Sequence, residues 1–539
     1  MDVDETQKKL ATWAQDPSFR FDDIYNFMCY PEWLNRAYRS VKSNSGSATA
    51  GIDGRTLEDF EEDLGENLRN LSGELKAESF DPEPVRRTYI PKGDGRKRPL
   101  GIPTIKDRIV QEALRMLLEP IYEQDFSDYS FGFRPNRRTQ DAIEAAKISS
   151  HTHNKMWVLD ADIKGFFDNV DHRTLEQIIQ NRITQKKVRR LIWLFLKAGI
   201  MEDGTFQHSM LGTPQGGIVS PLLANVYLNE LDQWVKQWTD LSQTESNRRR
   251  RRGKGNWTHV RYADDFLMLT NGTRERAEKM KERVADFLDE ELNLTLSDKK
   301  TELVHVEDGV DFLGYRIQKK QGTVRKQVTK EAREDIRAKV KTATNGETDV
   351  SVRSKIMALN AVIRGWANYY KYASNAGKVF NDLDHFVWDK LTDWLGRKYK
   401  MSVAQVCERK LDCEHPLTIN GATLTRVSGM GDRYTQSHTN KPKVYLNNQE
   451  NEREKLPDDN PWLGNQESRD QDKRWKALER DEWECQDCGT PLKEGNAEVH
   501  HIRMYRGYSS PKGADRLENL VSLCRECHLK RDMSRTYAN

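Results

Sequence analysis

No run of eighteen apolar residues occurs in this chain, and no positively charged start leads into an apolar segment. Neither a membrane-spanning helix nor a visible export signal is therefore expected, and the expected setting is cytoplasmic with no membrane partner. A strong excess of one charge is missing too: 87 Lys and Arg stand against 84 Asp and Glu, although charged residues make up 32% of the chain. Any affinity for nucleic acid must then come from where the cations cluster, since a positive groove can exist on a nearly neutral molecule. Cysteine is scarce, with seven in 539 residues, and Cys29, Cys407 and Cys413 are scattered. That distribution argues against a disulfide framework. The remaining four form two C-x-x-C pairs, Cys485 with Cys488 and Cys524 with Cys527, a spacing that reads as metal. The length predicts more than one domain.

What is present begins with "RYADDFLMLT", Arg261 to Thr270. Strand-like apolar runs flank Asp264 and Asp265, so the pair is expected at a turn between two buried strands. Asp-Asp is an ordinary turn dipeptide, but a second stretch, "MWVLDADIKGFFDNVDH", runs an apolar lead into Asp160 and Asp162. Neighbouring strands would bring Asp162 against Asp264 and Asp265, where like charges repel and something positive should sit among them. Three clustered carboxylates make an oxygen site for one or two Mg²⁺ ions, the arrangement that serves in-line phosphoryl displacement and nucleotide polymerisation.

Residues 1 to 80 read as helical and polar, with "SNSGSATAGIDG" as a flexible break. Lys92, Arg96, Lys97 and Arg98 surround a Gly-rich turn between two strand candidates, ahead of a helix expected over 105–118. Such cations either grip phosphates or merely solvate a hairpin. Arg134, Arg137 and Arg138 precede another helix, and "LGTPQGGIVSPLLANVYLNELDQWV" is a glycine-rich turn entering an amphipathic one. Its glycines allow close backbone approach to a ligand. Arg248, Arg249, Arg250, Arg251, Arg252 and Lys254 form a basic run that reads either as a solvated loop or as an RNA-binding loop. Ile356, Leu359, Ile363, Trp366 and Tyr370 recur at helical spacing, one apolar face. Arg364, Asn368, Tyr369 and Lys371 on the remaining faces suit RNA contact.

Taken in order, "YIPKGDGRKRPLGIPTIKDRIVQ", "FGFRPNRRTQDAI", "VLDADIKGFFDNVDH", "GTPQGGIVSPLLANVYLNELD", "RYADDFLML", "LTLSDKKTELVHV" and "DFLGYRI" resemble the consecutive blocks of a group II intron-encoded reverse transcriptase and maturase. The resemblance implies a multidomain α+β protein. It has an N-terminal helical extension at 1–84, fingers and palm of a right-hand polymerase at 85–320 and an α-helical thumb or maturase X domain at 321–400. A DNA-binding region at 401–470 is assigned by location alone. By motif position Asp162, Asp264 and Asp265 become the catalytic ligands of two Mg²⁺. Phe167 falls against the sugar 2′ position, Gln215 beside the nascent pair, and "FLGY" at 312–315 near the primer end. Lys92 and Arg98 are nucleotide-binding candidates. Asp168 is expected to be a structural acceptor or helix cap, and Asp160 a flank on the strand's other face. "RGWANYY" resembles the thumb that grips intron RNA, with Arg364 and Lys371 as contacts.

At 471–539, "CQDCG" and "LCRECH" offer four thiolates for tetrahedral zinc. Between and beside them lie His500, His501, Asn519 and His528. A plain zinc ribbon explains the cysteines and leaves the paired histidines unexplained. The set resembles an H-N-H endonuclease of the ββα-metal type. That resemblance makes His501 the general base, Asn519 its orienting partner, and His500 and His528 ligands of a divalent metal, Mg²⁺ or Mn²⁺. The implied function joins RNA-directed DNA synthesis, splicing assistance and nicking of target DNA. Its partners would be group II intron RNA, target DNA and deoxynucleotides, with the protein a monomer or dimer on RNA in a prokaryotic cytoplasm or organelle. A splicing-only maturase and a reverse transcriptase recruited to defence or diversification are the competing readings.

Overall fold

The computed structural model describes residues 1–432 except 45, 92–96, 203–204, 208–211, 213–215, 346–347, 411–417 and 420–421. Beyond these it describes 445–446, 480–481, 484–488, 490, 492, 497–501, 520–524 and 527. Two compact units divide the chain, Met1–Leu456 and Pro457–Asn539. Among the described residues no helix is long and apolar enough to cross a membrane.

The first unit opens with helices α1 (Val3–Ala14), α2 (Tyr25–Met28), α3 (Pro31–Lys42), α4 (Leu57–Glu61) and α5 (Leu64–Lys76). The break between α3 and α4 is where the glycines and serines put it. It is nonetheless tied down, because Arg108 donates to the carbonyls of Gly46 at 3.2 Å and Thr49 at 2.5 Å. The hairpin of β1 (Val85–Pro91) and β2 (Lys97–Ile102) leads to α6 (Ile105–Tyr122). That helix starts on the Thr104 side chain, which accepts from Asp107 N, and continues past the expected residue 118. Then come α7 (Thr139–His151), β3 (Trp157–Asp162), α8 (Phe166–Asn169), α9 (His172–Gln180), α10 (Lys186–Lys197), and the short β4 (Ile200–Glu202) and β5 (Thr205–Gln207). Next are α11 (Ser220–Thr239), α12 (Gln243–Arg251), β6 (Trp257–Tyr262), β7 (Asp265–Thr270) and α13 (Arg274–Leu292). β8 (Glu302–His305), β9 (Val310–Phe312), β10 (Tyr315–Lys320) and β11 (Thr323–Val328) precede α14 (Lys330–Thr344), α15 (Val352–Tyr370), α16 (Ala376–Tyr399) and α17 (Val403–Lys410). The two-residue strands β12 (Thr418–Ile419) and β13 (Ala422–Thr423) follow.

A four-stranded sheet in the order β6-β7-β3-β8 carries the centre, and its two faces meet different cores. Side chains alternate along a strand, so Leu159, Ala161, Phe266 and Met268 enter a core shared with α1, α3, α6, α9, α11 and α13. Val158, Val260, Leu267 and Leu269 face the opposite way, into a core with β9–β11 and α14–α16. Residues 1–84 thus share the first core: Trp33 Nε1 donates to Ala113 O at 3.0 Å and is fully buried. A division at residue 320 falls inside the β10–β11 hairpin, whose Lys326 is paired with Glu144 of α7 at 2.6 Å.

The basic run is a correction. Residues 243–251 form α12 rather than a loop, because the Ser242 side chain caps Glu245 N and arginine is a good helix former. No residue of this helix is buried. In the second unit, β14 (Ala497–His501) pairs antiparallel with β15 (Leu520–Cys524) over a small core of Cys485, Leu492, Val521, Leu523 and Cys527.

Candidate functional site

Antiparallel pairing sets Asp162, the last residue of β3, opposite Asp265, the first of β7. Asp264 occupies the turn before it, where Ala263 adopts φ 57°. Asp160, two residues before Asp162, shares its face by the two-residue period. The expectation that it points the other way is therefore wrong, and its carboxyl lies within electrostatic reach of Asp265, Glu302 and Asp162. Burial, reinforced by these neighbours, pushes Asp160 up to about 7. Burial likewise raises Asp264, and raises Asp265 to about 7 with added repulsion from Asp264 and Asp162. The positive charge the carboxylates require comes from Lys300, whose Nζ lies 2.9 Å from Asp162 Oδ1. This ion pair, opposed by some burial, holds the ammonium above its ordinary range. In sequence Lys300 is marked only by "SDKKT", where two adjacent lysines just before β8 carry no pattern that tells one from the other.

Asp162, Asp264 and Asp265 lie within electrostatic reach of one another, and carboxylate oxygens are the donors a hard divalent cation takes. Drawing all three onto one ion would need a small closure, since their oxygens are not all gathered within 4.8 Å. A consequence is testable without catalysis. Asp265 binds its proton more tightly in the folded chain, at about 7, than at its ordinary 3.8. Without a divalent cation its contribution to stability is thus full below about pH 4 and lost as pH rises through about 7. The melting temperature in chelator should decline over that window, with a shallower decline in Asp265→Asn and a restored melting temperature on adding Mg²⁺. Parallel declines in the two proteins would show that Asp265 does not titrate there.

Behind the turn lies a buried network the sequence did not disclose. Arg261 and Asp232 are both wholly buried, joined by Nη2–Oδ2 at 2.6 Å and Nε–Oδ1 at 2.9 Å. Arg261 Nη1 also donates to Asn225 Oδ1 and to the Ala263 carbonyl, each at 2.9 Å. Asn225 in turn donates to Gly132 O at 2.8 Å. Gly132 packs so closely on the Ala263 backbone that a Cβ there would collide with it. Burial opposes the Asp232 charge, yet Arg261 keeps that carboxyl below its ordinary range.

Around the carboxylates, Arg98 is exposed on β2 and close enough to Asp264 to favour its ionised form. Phe167 is half-buried in α8, edge-on to the buried Phe166 at 5.3 Å. Lys92 and Gln215 lie outside the described residues. Asp168 is exposed, and the cap nearby is Asp171, which accepts from Thr174 N at 2.7 Å. Leu313 and Gly314 both have positive φ in the β9–β10 turn, and Gly314 lies against the Tyr370 hydroxyl. A Cβ at Gly314 would strike that hydroxyl at 2.5 Å.

On α15, Ile356, Leu359, Ile363 and Tyr370 are buried as the spacing predicts, with Trp366 partly buried against Phe380. Arg364 is exposed and Lys371 is half-buried over the Tyr372 ring. Tyr369 is a correction: rather than facing outward for RNA, its hydroxyl donates to Leu313 O at 2.8 Å. Of the α12 cations, Arg248, Arg250, Arg251, Arg252 and Lys254 are exposed, and Arg249 donates to Gly255 O.

In the second unit the sulfurs of Cys485, Cys488 and Cys527 lie within 4.8 Å of one another. The Thr490 hydroxyl beside Cys488, then its backbone and the two other thiols, lower the Cys488 thiol to about 6. That favours the thiolate a metal needs. Cys524 stands opposite Ala497, His500 opposite Val521 and His501 opposite Leu520. Asn519 and His528 lie outside the described residues.

Comparison with known proteins matches residues 90–317 to the family "Reverse transcriptase (RNA-dependent DNA polymerase)", 333–411 to "Group II intron, maturase-specific domain" and 485–532 to "HNH endonuclease". Protein YkfC of Escherichia coli (strain K12) is 38% identical over 341 residues, 59% of this chain and 89% of that one. The group II intron-encoded protein LtrA of Lactococcus lactis subsp. cremoris is 32% identical over 454 residues, 68% of this chain and 73% of that one. An uncharacterized 91 kDa protein in the cob intron of Schizosaccharomyces pombe is 26% identical over 565 residues, 92% of this chain and 67% of that one.

Proposed function

The chain belongs to the family of group II intron-encoded proteins, with reverse transcriptase, maturase and H-N-H endonuclease domains, and from that premise we propose how its residues divide the work. RNA-directed DNA synthesis falls to Asp162, Asp264 and Asp265 as ligands of two Mg²⁺. When bound, these ions activate the primer hydroxyl and stabilise the leaving oxygen. The observation that carries this reading is the pairing of Asp162 with Asp265 across adjacent strands, Asp264 in the intervening turn and Lys300 among them. Lys92 and Arg98 hold the triphosphate of the incoming deoxynucleotide. Phe167 crowds the sugar 2′ position, and Gln215 lies beside the nascent pair. The Leu313–Gly314 turn supports the primer end.

Group II intron RNA is bound by Arg364 and Lys371 of the maturase domain and by the arginines of α12 with Lys254. An all-polar helix bearing consecutive arginines offers phosphate contacts without disturbing any core. In the second unit Cys485, Cys488, Cys524 and Cys527 hold a structural zinc, and the three close sulfurs support this. His501 is the general base toward water, Asn519 orients it, and His500 and His528 hold a divalent metal at the scissile phosphate. The nick in target DNA then supplies the 3′ end that the polymerase extends.

His501→Ala separates these steps. General-base catalysis is worth about a hundredfold to ten-thousandfold, so nicking of intact target DNA should collapse by that factor. Copying of intron RNA into pre-nicked target should continue at the unsubstituted rate. Normal nicking by the variant would remove His501 from the role, with His500 the next residue to test.

A further inference from the structure

Phe133 is 51% exposed and sits at φ 56°. A bulky residue adopts that left-handed conformation at a cost, whereas Asn and Gly adopt it readily. The neighbours on both sides are fixed. Gly132 is wedged on the Ala263 backbone with its carbonyl held by Asn225. Arg134 is buried, paired with Glu123 at 3.0 Å and donating to Ser130 O at 2.8 Å. The strain is therefore imposed by the fold, and its outcome is a ring held out into solvent.

The segment that carries this ring is tied to the carboxylate hairpin. Residues 129–131 run parallel to Arg261: Arg261 N donates to Tyr129 O at 2.8 Å and Phe131 N to Arg261 O at 2.9 Å. Gly132 packs on the Ala263 backbone, so Phe133 follows directly on the residue that touches the turn carrying Asp264. An exposed, uncharged aromatic surface one residue from the contact with the carboxylate turn suits a partner that presents a flat π face close to reacting phosphates. Nucleic-acid bases do this, and stacking on them tolerates any sequence.

We propose that Phe133 is a stacking platform for the primer–template at the polymerase centre, a contact beyond the carboxylates and nucleotide-binding residues. The proposal rests on the polymerase reading. Full-length Phe133→Asn and Phe133→Trp test it with an RNA-template/DNA-primer duplex carrying 2-aminopurine at the primer 3′ end or in the template opposite it. Asn relieves the backbone and should leave melting unchanged or raised. It should weaken duplex binding and raise KM for duplex by roughly tenfold or more, with kcat within about twofold, and abolish a 2-aminopurine quench in one of the two duplexes. Trp should retain binding and quench. An Asn variant that binds, quenches and extends like the unsubstituted protein overturns the proposal. So does a Trp variant as impaired as Asn with melting lowered in both, which marks a structural ring. Failure of the unsubstituted protein to extend any primer would instead count against the polymerase reading, while the fluorescence comparison, which needs no catalysis, would still judge the contact.

Discussion

Asp264→Asn protein is expected to extend a DNA primer on an RNA template about ten-thousandfold or more slowly than the unsubstituted protein, a barrier increase of about 5.5 kcal/mol. The substitution keeps the shape of the side chain and removes its charge, so the turn and its Ala263 geometry should persist. Burial already disfavours the ionised form of Asp264, and Lys300 and Arg98 favour it. The net direction is upward, and any charge Asp264 carries adds to the repulsion among the carboxylates. Deleting it relieves repulsion on Asp265 and Asp162, and melting in chelator should rise or stay level. Intron RNA affinity and splicing assistance should be unchanged, because Arg364 and the α12 cations lie on other elements. Single-turnover extension of a pre-annealed primer measures the first effect. A variant extending within tenfold of the unsubstituted protein would remove Asp264 from the metal site.

Arg261→Met is expected to destabilise the first unit by about 3–5 kcal/mol, the cost of leaving a buried carboxylate without its partner. Asp232 would then keep the weaker pull of Arg134 and the neighbouring His259, which burial keeps neutral at about 4. The double substitution Arg261→Met with Asp232→Leu should recover most of that stability, since apolar replacements of a buried pair are often neutral or better. Polymerisation should not return with it. Arg261 Nη1 also holds the Ala263 carbonyl at 2.9 Å, and without that bond the positive-φ turn carrying Asp264 loses its tether. Denaturant unfolding and primer extension, measured on both variants, separate the two effects. If the double variant recovers activity along with stability, Arg261 merely fills and neutralises the core.

These two residues also mark what can be read from sequence and what cannot. Asp264 was legible because a two-residue period and an apolar run on each side locate a turn between buried strands, and a second run ending in Asp162 supplies the match. The same period would have put Asp160 on the Asp162 face. Arg261 looks like any strand cation, since its partner Asp232 is on a helix 29 residues earlier and only the fold brings them together. The arginine run of α12 misled in another way: with no apolar residue to mark a period, composition suggested a loop, while the Ser242 cap and arginine's propensity made a helix. The thiols of the second unit follow from C-x-x-C spacing, a local pattern that survives without knowledge of the fold.

The ion pair of Lys326 with Glu144, wholly internal to the first unit, bears on how such proteins can exchange parts. Its members stand 182 residues apart, one on a helix before the carboxylates and one on a strand after them. A hybrid made by crossing two relatives near residue 320 would split the β10–β11 hairpin and match each charge with a stranger's side chain. Crossovers that keep residues 1–456 from one parent carry both charges together, so inheritance by shuffling should favour the junction between the two compact units over any seam drawn at the fingers, palm or thumb.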